Sequence, residues 1–233
     1  LSVFTSGLAA SFGDVIARRQ RGVLKHAYRE FEQAYYLLIT VVYGASLLLI
    51  TPFISLYTKG VSDADYILPV LGAMCVMNGF LYNLKTPQGM LVISAGMYRQ
   101  TRWQSTAQGL IALIGGFIGV QIFGLYGIIG GLMLSNIYRD IDLLFFVPKR
   151  ITRLSHIRTV KHIAAAFVSI APAFFIFVKY GFAASSFMDW IFKGFIITAV
   201  LSVWALAVNF TVDYKNMINV FKRIKNIVLR KIK

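Results

Sequence analysis

Apolar residues fill six runs along this chain, each about as long as the roughly 20 residues that a helix needs to cross a bilayer. They occupy residues 34–57, 66–98, 104–123, 127–147, 161–178 and 189–211. A shorter apolar run at 1–16 is typical of the last part of a further membrane helix. The pattern predicts an all-α fold, a polytopic integral membrane helical bundle.

The links between these runs predict how the bundle is oriented. Nineteen of the 24 lysines and arginines lie in alternate links, at 18–29, 99–102, 148–161 and 213–233. Basic links face the cytoplasm in membrane proteins. We therefore expect these four segments, the C-terminal tail included, on the cytoplasmic side.

Composition agrees with a membrane protein, since 58% of the residues are hydrophobic and only 14% are charged. The net charge of +15 would suit a nucleic-acid partner, but the basic residues lie between membrane-length runs. We therefore expect the bilayer as a partner and no nucleic acid.

Phosphate-binding, dinucleotide-binding, zinc-protease and nucleophile-elbow motifs are absent from the sequence, so we expect no enzyme, cofactor or metal. His26, His156 and His162 lie in or beside basic links and are expected to face solvent or headgroups.

The second apolar run contains Lys85, and a lysine near mid-membrane costs about 2.5–3.5 kcal/mol. Pro87 follows two residues later and predicts a kink in the helix. Helical spacing places Lys85 on one face with Asn78, Tyr82 and Gln88. We expect this polar face to line a substrate-binding cavity. Two alternatives are that Lys85 extends toward an interface or pairs with an acid on a neighbouring helix.

The fourth run ends in a second polar group. Arg139 either pairs with Asp142 three residues later or contacts an anionic headgroup from the cavity. Asp140 and Asp142 are candidates for an ion pair or for coupling transport to an ion.

Small residues predict how the third and fourth runs pack. Gly115 and Gly119 precede a tight turn, and Gly127 and Gly131 follow it, each pair four residues apart. Glycines at that spacing let helix backbones approach closely. The two runs should therefore form a hairpin.

The tail combines basic residues with apolar residues at helical spacing. Its apolar positions are Met217, Phe221, Ile224 and Val228. Such a segment either binds anionic lipid headgroups or serves as an orientation signal.

Four segments carry a resemblance to a known family. They read FTSGLAASFGDVIARRQRGVLKHAYREFEQAYYLL, PFISLYTKGVSDADY, LYNLKTPQGMLVISAGMYRQT and GLYGIIGGLMLSNIYRDIDLLFF. They resemble bacterial lipid-linked oligosaccharide flippases, the polysaccharide biosynthesis transporters of the multidrug/oligosaccharidyl-lipid/polysaccharide exporter superfamily.

The resemblance implies two bundles of six helices, followed by two additional helices. Residues 1–147 would be the C-terminal lobe, incomplete at its start. Residues 148–211 would be a basic cytoplasmic link and the two additional membrane helices, and 212–233 a basic amphipathic cytoplasmic tail. Because the chain begins inside an apolar run without a start methionine, we expect a C-terminal fragment.

The function implied by the resemblance is the flipping of undecaprenyl-pyrophosphate-linked repeat units to the outer leaflet of the bacterial inner membrane. Lys85 and Arg139 match the type of basic residue that family cavities carry. A polysaccharide polymerase and glycosyltransferases would be partners. The alternative is a cation-coupled multidrug antiporter, which needs a lone buried acid. Asp140 and Asp142 both stand beside Arg139, which favours the flippase. A membrane assembly protein without transport activity is a third reading.

Overall fold

The structure is a computed structural model that describes residues 2–231, with side chains at 7–220 and 222. All regular secondary structure in this part of the chain is helical. The helices are α1 (Ser2–Ala17), α2 (Arg21–Tyr57), α3 (Pro69–Leu84), α4 (Thr86–Ser94), α5 (Tyr98–Phe123), α6 (Leu125–Val147), a π-helical turn (Pro148–Thr152), α7 (His156–Tyr180) and α8 (Phe187–Lys231).

Four helices are long and apolar enough to cross a membrane, by length and composition. These segments are Arg21–Tyr57, Tyr98–Phe123, His156–Tyr180 and Phe187–Val220. They confirm four of the six predicted runs and make this a multi-pass membrane protein. The run at 66–98 forms the shorter helices α3 and α4 instead. The run at 127–147 lies in α6, which is about 34 Å long at 1.5 Å per residue but carries three charged residues.

Helix α2 is the centre of the bundle, because it packs against α8, α7, α3 and α1. It begins at Arg21, so the basic segment predicted as a link is largely helical. The reason is that Leu24, Tyr28 and Phe31 recur at helical spacing and are all buried. This apolar face extends the helix well before the first predicted membrane residue.

The predicted hairpin of the third and fourth runs is confirmed. Helices α5 and α6 pack through their glycines, so that a Cβ built on Gly119 would lie 2.8 Å from the Gly127 carbonyl carbon. A Cβ on Gly115 would lie 3.3 Å from the Gly131 Cα. Gly124 makes the turn with a positive φ of 59°, which glycine adopts without strain.

Replacing Gly119 with alanine should therefore destabilise the hairpin. Overpacking against backbone costs about 1–3 kcal/mol, because backbone cannot move aside as a side chain can. The matched control is Gly130→Ala, since a Cβ there meets nothing within 4 Å. Unfolding free energies in detergent check this prediction, and equal stability of the two variants would contradict it.

Candidate functional site

A break in the second predicted run places Lys85 between two helices. Helix α3 ends at Leu84, and α4 begins at Thr86. We predicted one helix kinked at Pro87, and this is corrected to two separate helices. Pro87 lies in the first turn of α4, where its missing N–H leaves no helical hydrogen bond unmade.

Three tyrosines of α2 hold this break in place. The Tyr36 hydroxyl donates to the Leu84 carbonyl at 3.2 Å. The Tyr35 hydroxyl donates to Asn83 Oδ1 at 2.8 Å, and Asn83 Nδ2 donates to the Tyr43 hydroxyl at 2.7 Å. The polar groups around the break are therefore satisfied by α2, which fixes the position of Lys85.

Lys85 belongs to a cluster of polar side chains from α3, α5 and α6, which we call the amide cluster. Its Nζ donates to Asn136 Oδ1, and Gln108 Nε2 lies 3.4 Å from the same oxygen. Asn136 Nδ2 in turn donates to Asn78 Oδ1 at 2.9 Å. The Tyr82 ring centroid lies 4.5 Å from Lys85 Nζ. This is the distance of a cation–π contact.

The structure thus brings Asn78, Tyr82 and Lys85 together as predicted, but not Gln88. Gln88 is buried on α4, beyond the break, and is not among the described hydrogen-bonding partners of the amide cluster. The continuous helical face that we predicted ends at Lys85, because the break interrupts its register.

Sequence reasoning missed Asn136 and Gln108 as members of the cluster. Both are amides inside apolar runs, and that was the available signal. Amide side chains at membrane depth seek hydrogen bonds across helices. What the sequence alone lacked was the packing of α6 against α3, which joins Asn136 to Lys85.

Arg139 was predicted either to pair with Asp142 or to contact an anionic headgroup. In the structure it pairs with Asp142. Arg139 Nη1 lies 2.7 Å from Asp142 Oδ2, with only 9% of the arginine side chain exposed. Asp140 differs, because both of its carboxylate oxygens are buried and have no hydrogen-bond partner among the described residues. The two neighbouring acids therefore have different environments.

A second polar cluster, which the sequence did not predict, joins α2, α7 and α8. The Glu32 carboxylate is fully buried and accepts hydrogen bonds from the Tyr28 hydroxyl at 3.0 Å and the Thr159 hydroxyl at 2.8 Å. Arg158 Nη1 donates to its other oxygen at 3.2 Å. Arg158 Nε also lies 3.4 Å from Asp213 Oδ2, so one guanidinium connects two carboxylates. We call these five residues the Glu32 cluster.

Asp213 also divides α8 into two helices. Its φ of −149° and ψ of 72° are non-helical, and its Oδ1 accepts the Asn216 N–H at 3.2 Å as an N-cap. Asn216 Nδ2 donates to the Arg29 carbonyl on α2 at 3.0 Å, which turns Met217 into the protein, where it is buried. Met217, one of the apolar positions predicted at helical spacing in the tail, thus packs against the bundle. The side chains at Phe221, Ile224 and Val228 lie outside the described residues.

The histidine prediction is wrong for His162 and confirmed for the other two. His162 is 1% exposed, and its ring nitrogens have no hydrogen-bond partner among the described residues. It shares a buried face of α7 with Thr159 and Ala166. His26 and His156 are exposed. Within the described residues, no group of three or more His, Cys, Asp or Glu side chains could hold a metal ion.

Long apolar helices with polar clusters between them define the class of this chain as a multi-pass helical membrane protein. Comparison with known protein families, with curated proteins and with solved structures finds no match.

Substituting Arg158 should strongly destabilise the bundle. Arg158→Met leaves Glu32 buried without its cation, and breaking a buried pair in this way costs about 3–5 kcal/mol. Lys161→Met is the control, because Lys161 is exposed on the same helix and such surface changes cost less than about 0.5 kcal/mol.

The double variant Glu32→Gln/Arg158→Met tests the cause of that loss. It removes both charges and should recover most of the unfolding free energy measured in detergent. A double variant no more stable than Arg158→Met alone would show that Arg158 acts through packing instead.

Proposed function

We propose that this protein flips an undecaprenyl-pyrophosphate-linked oligosaccharide from the cytoplasmic to the outer leaflet of a bacterial inner membrane. The observation that carries the proposal is the placement of Lys85, a cation at the break between α3 and α4 that contacts Asn136 and Tyr82. A polysaccharide polymerase and glycosyltransferases would then act after and before this step.

The Lys85 ammonium has hydrogen-bonding capacity left for a ligand. An ammonium carries three N–H donors, and one of them goes to Asn136. Among the described residues, no carboxylate lies within 4.0 Å of Lys85 Nζ. The side chain is partly exposed, so a phosphate oxygen of the substrate would accept hydrogen bonds from its remaining N–H donors.

Tyr82 supports the same reading. Its ring lies beside the Lys85 ammonium and is 58% exposed. An exposed aromatic ring offers a flat surface for the C–H face of a sugar. Substrates with a sugar next to a pyrophosphate would therefore contact Tyr82 and Lys85 together, while the polyprenyl chain stays in lipid.

One observation favours a second candidate, the cation-coupled antiporter. Arg139 pairs with Asp142 and leaves Asp140 as a buried acid without a hydrogen-bond partner among the described residues. A lone buried acid is what coupling to a cation requires. The flippase stays our first proposal, because Lys85 and Tyr82 suit an anionic sugar lipid and not a cationic drug.

Lys85→Ala in the intact protein should lower polysaccharide export about 10- to 100-fold, the loss of about 1.5–3 kcal/mol that one hydrogen bond to a charged group supplies. Lys85→Arg should retain more export than Lys85→Ala because it keeps the cation. The control is Lys59→Ala in the exposed α2–α3 loop. Export is measured at equal membrane abundance, and normal export by Lys85→Ala would contradict the proposal.

Asp140→Asn separates the two candidates in the same assay. A flippase that binds its substrate through Lys85 should keep most of its export when Asp140 is neutralised. An antiporter should lose cation-driven drug efflux in this variant and keep it in Lys85→Ala.

The proposed orientation, with the tail in the cytoplasm, is tested by single cysteines in a Cys75→Ser background, since Cys75 is exposed. Lys59→Cys should react with a membrane-impermeant thiol reagent added to intact cells. Ser155→Cys, in the basic segment before α7, should react only after the membrane is opened. The opposite labelling pattern would invert the topology.

A further inference from the structure

A cavity of about 370 Å³ opens at one rim of the bundle, where three turns of the chain meet. The turns are those between α1 and α2, between α4 and α5, and the π-helical turn after α6. Three arginines line the cavity, Arg19, Arg21 and Arg150. Apolar side chains, among them Ile16, Leu24 and Ile151, form the rest of its wall.

Two of these turns have the same hydrogen-bonded geometry. At the end of α1, the Arg19 N–H donates to the Ile16 carbonyl and the Gln20 N–H to the Val15 carbonyl. The turn after α4 repeats this arrangement around Gly96. Both are Schellman motifs, in which the residue after the helix adopts a left-handed conformation. Two of the turns that border the cavity are thus held by backbone hydrogen bonds.

Arg19 occupies a position that usually belongs to glycine. Its φ is 56°, close to the 63° of Gly96 in the matching turn. An arginine in this conformation is strained, whereas glycine is not. Because this position holds arginine and not glycine, a guanidinium side chain lines the cavity.

The arginines of the cavity have no acidic partners. Among the described residues, Arg18 pairs with Asp14, but Arg19, Arg21 and Arg150 take part in no ion pair. A guanidinium is a planar donor that matches phosphate oxygens. Three unpaired guanidinium groups above an apolar wall therefore complement a ligand with a phosphate at one end and carbon chains at the other.

The cavity also adjoins the ends of three predicted apolar runs, those at 1–16, 66–98 and 127–147, because Ile16, Met97 and Arg150 line it. Lipid headgroups lie beyond the ends of such membrane-length runs. Basic pockets between membrane helices bind anionic headgroups. We propose that this cavity binds the headgroup of an anionic phospholipid of the surrounding bilayer, with Arg19, Arg21 and Arg150 on its phosphate.

Native mass spectrometry of the intact protein in detergent, titrated with phosphatidylglycerol or phosphatidylcholine, tests the proposal. Arg19→Gly should weaken phosphatidylglycerol binding about fivefold, the effect of one basic residue worth about 1 kcal/mol. It should not lower the melting temperature, because glycine suits the backbone there. Arg18→Gly removes the same charge one residue away, outside the cavity, and should leave affinity within about twofold. The triple variant Arg19→Gly/Arg21→Gln/Arg150→Gln should lose about 100-fold.

Three outcomes would overturn the proposal. Equal losses in Arg18→Gly and Arg19→Gly would mean that general surface charge attracts the lipid. Binding of phosphatidylcholine as tight as that of phosphatidylglycerol would mean that the site does not recognise the negative charge of the headgroup. Displacement of phosphatidylglycerol by millimolar inorganic phosphate would assign the cavity to a soluble anion. The readout is lipid binding and not export, so it is independent of the proposed transport function.

Discussion

The buried carboxylate of Glu32 is the constraint on which the packing of three helices depends. A charge inside an apolar bundle is stable only when it is paired and hydrogen-bonded. Here α2 supplies one hydroxyl, from Tyr28, and α7 supplies Thr159 and the Arg158 guanidinium. Because Arg158 also contacts Asp213, one guanidinium links Glu32 to the break in α8. Displacing α7 along α2 would leave several polar groups unpaired at once.

Further along its length, α2 again supplies hydrogen-bond partners for polar groups inside the bundle. Tyr35, Tyr36 and Tyr43 make hydrogen bonds to Asn83 and to the carbonyl of Leu84 at the break between α3 and α4. In both places, side chains of α2 compensate for polar groups that an uninterrupted apolar helix would not contain. The Lys85 ammonium is therefore presented from a fixed backbone, while most of its own donors remain available. The hydrogen bonds of α2 thus hold the backbone around Lys85 in place, and the Lys85 ammonium supplies the donors for a ligand.

Properties that depend on neighbours in sequence were predictable, and those that depend on distant partners were not. Hydropathy located four membrane helices, glycine spacing predicted the α5–α6 hairpin, and a three-residue separation anticipated the Arg139–Asp142 pair. Tyr28 is only four residues from Glu32, but Arg158 and Thr159 are more than a hundred residues away, so no local pattern marked the cluster. His162 looked exposed because it adjoins basic residues, yet its helical face turns inward. Pro87 signalled a disturbance in the helix without distinguishing a kink from a complete break.

The glycine contact between α5 and α6 has a mechanical consequence. Backbone lies directly against backbone there, so the two helices have no layer of side chains that could repack and let one slide past the other. This contact favours movement of α5 and α6 as one unit, joined by the turn at Gly124. Gln108 on α5 and Lys85 both donate to Asn136 Oδ1 on α6. A tilt of the hairpin would therefore move Gln108 and Asn136 together relative to Lys85, and the hydrogen bond from the ammonium to Asn136 would change with it.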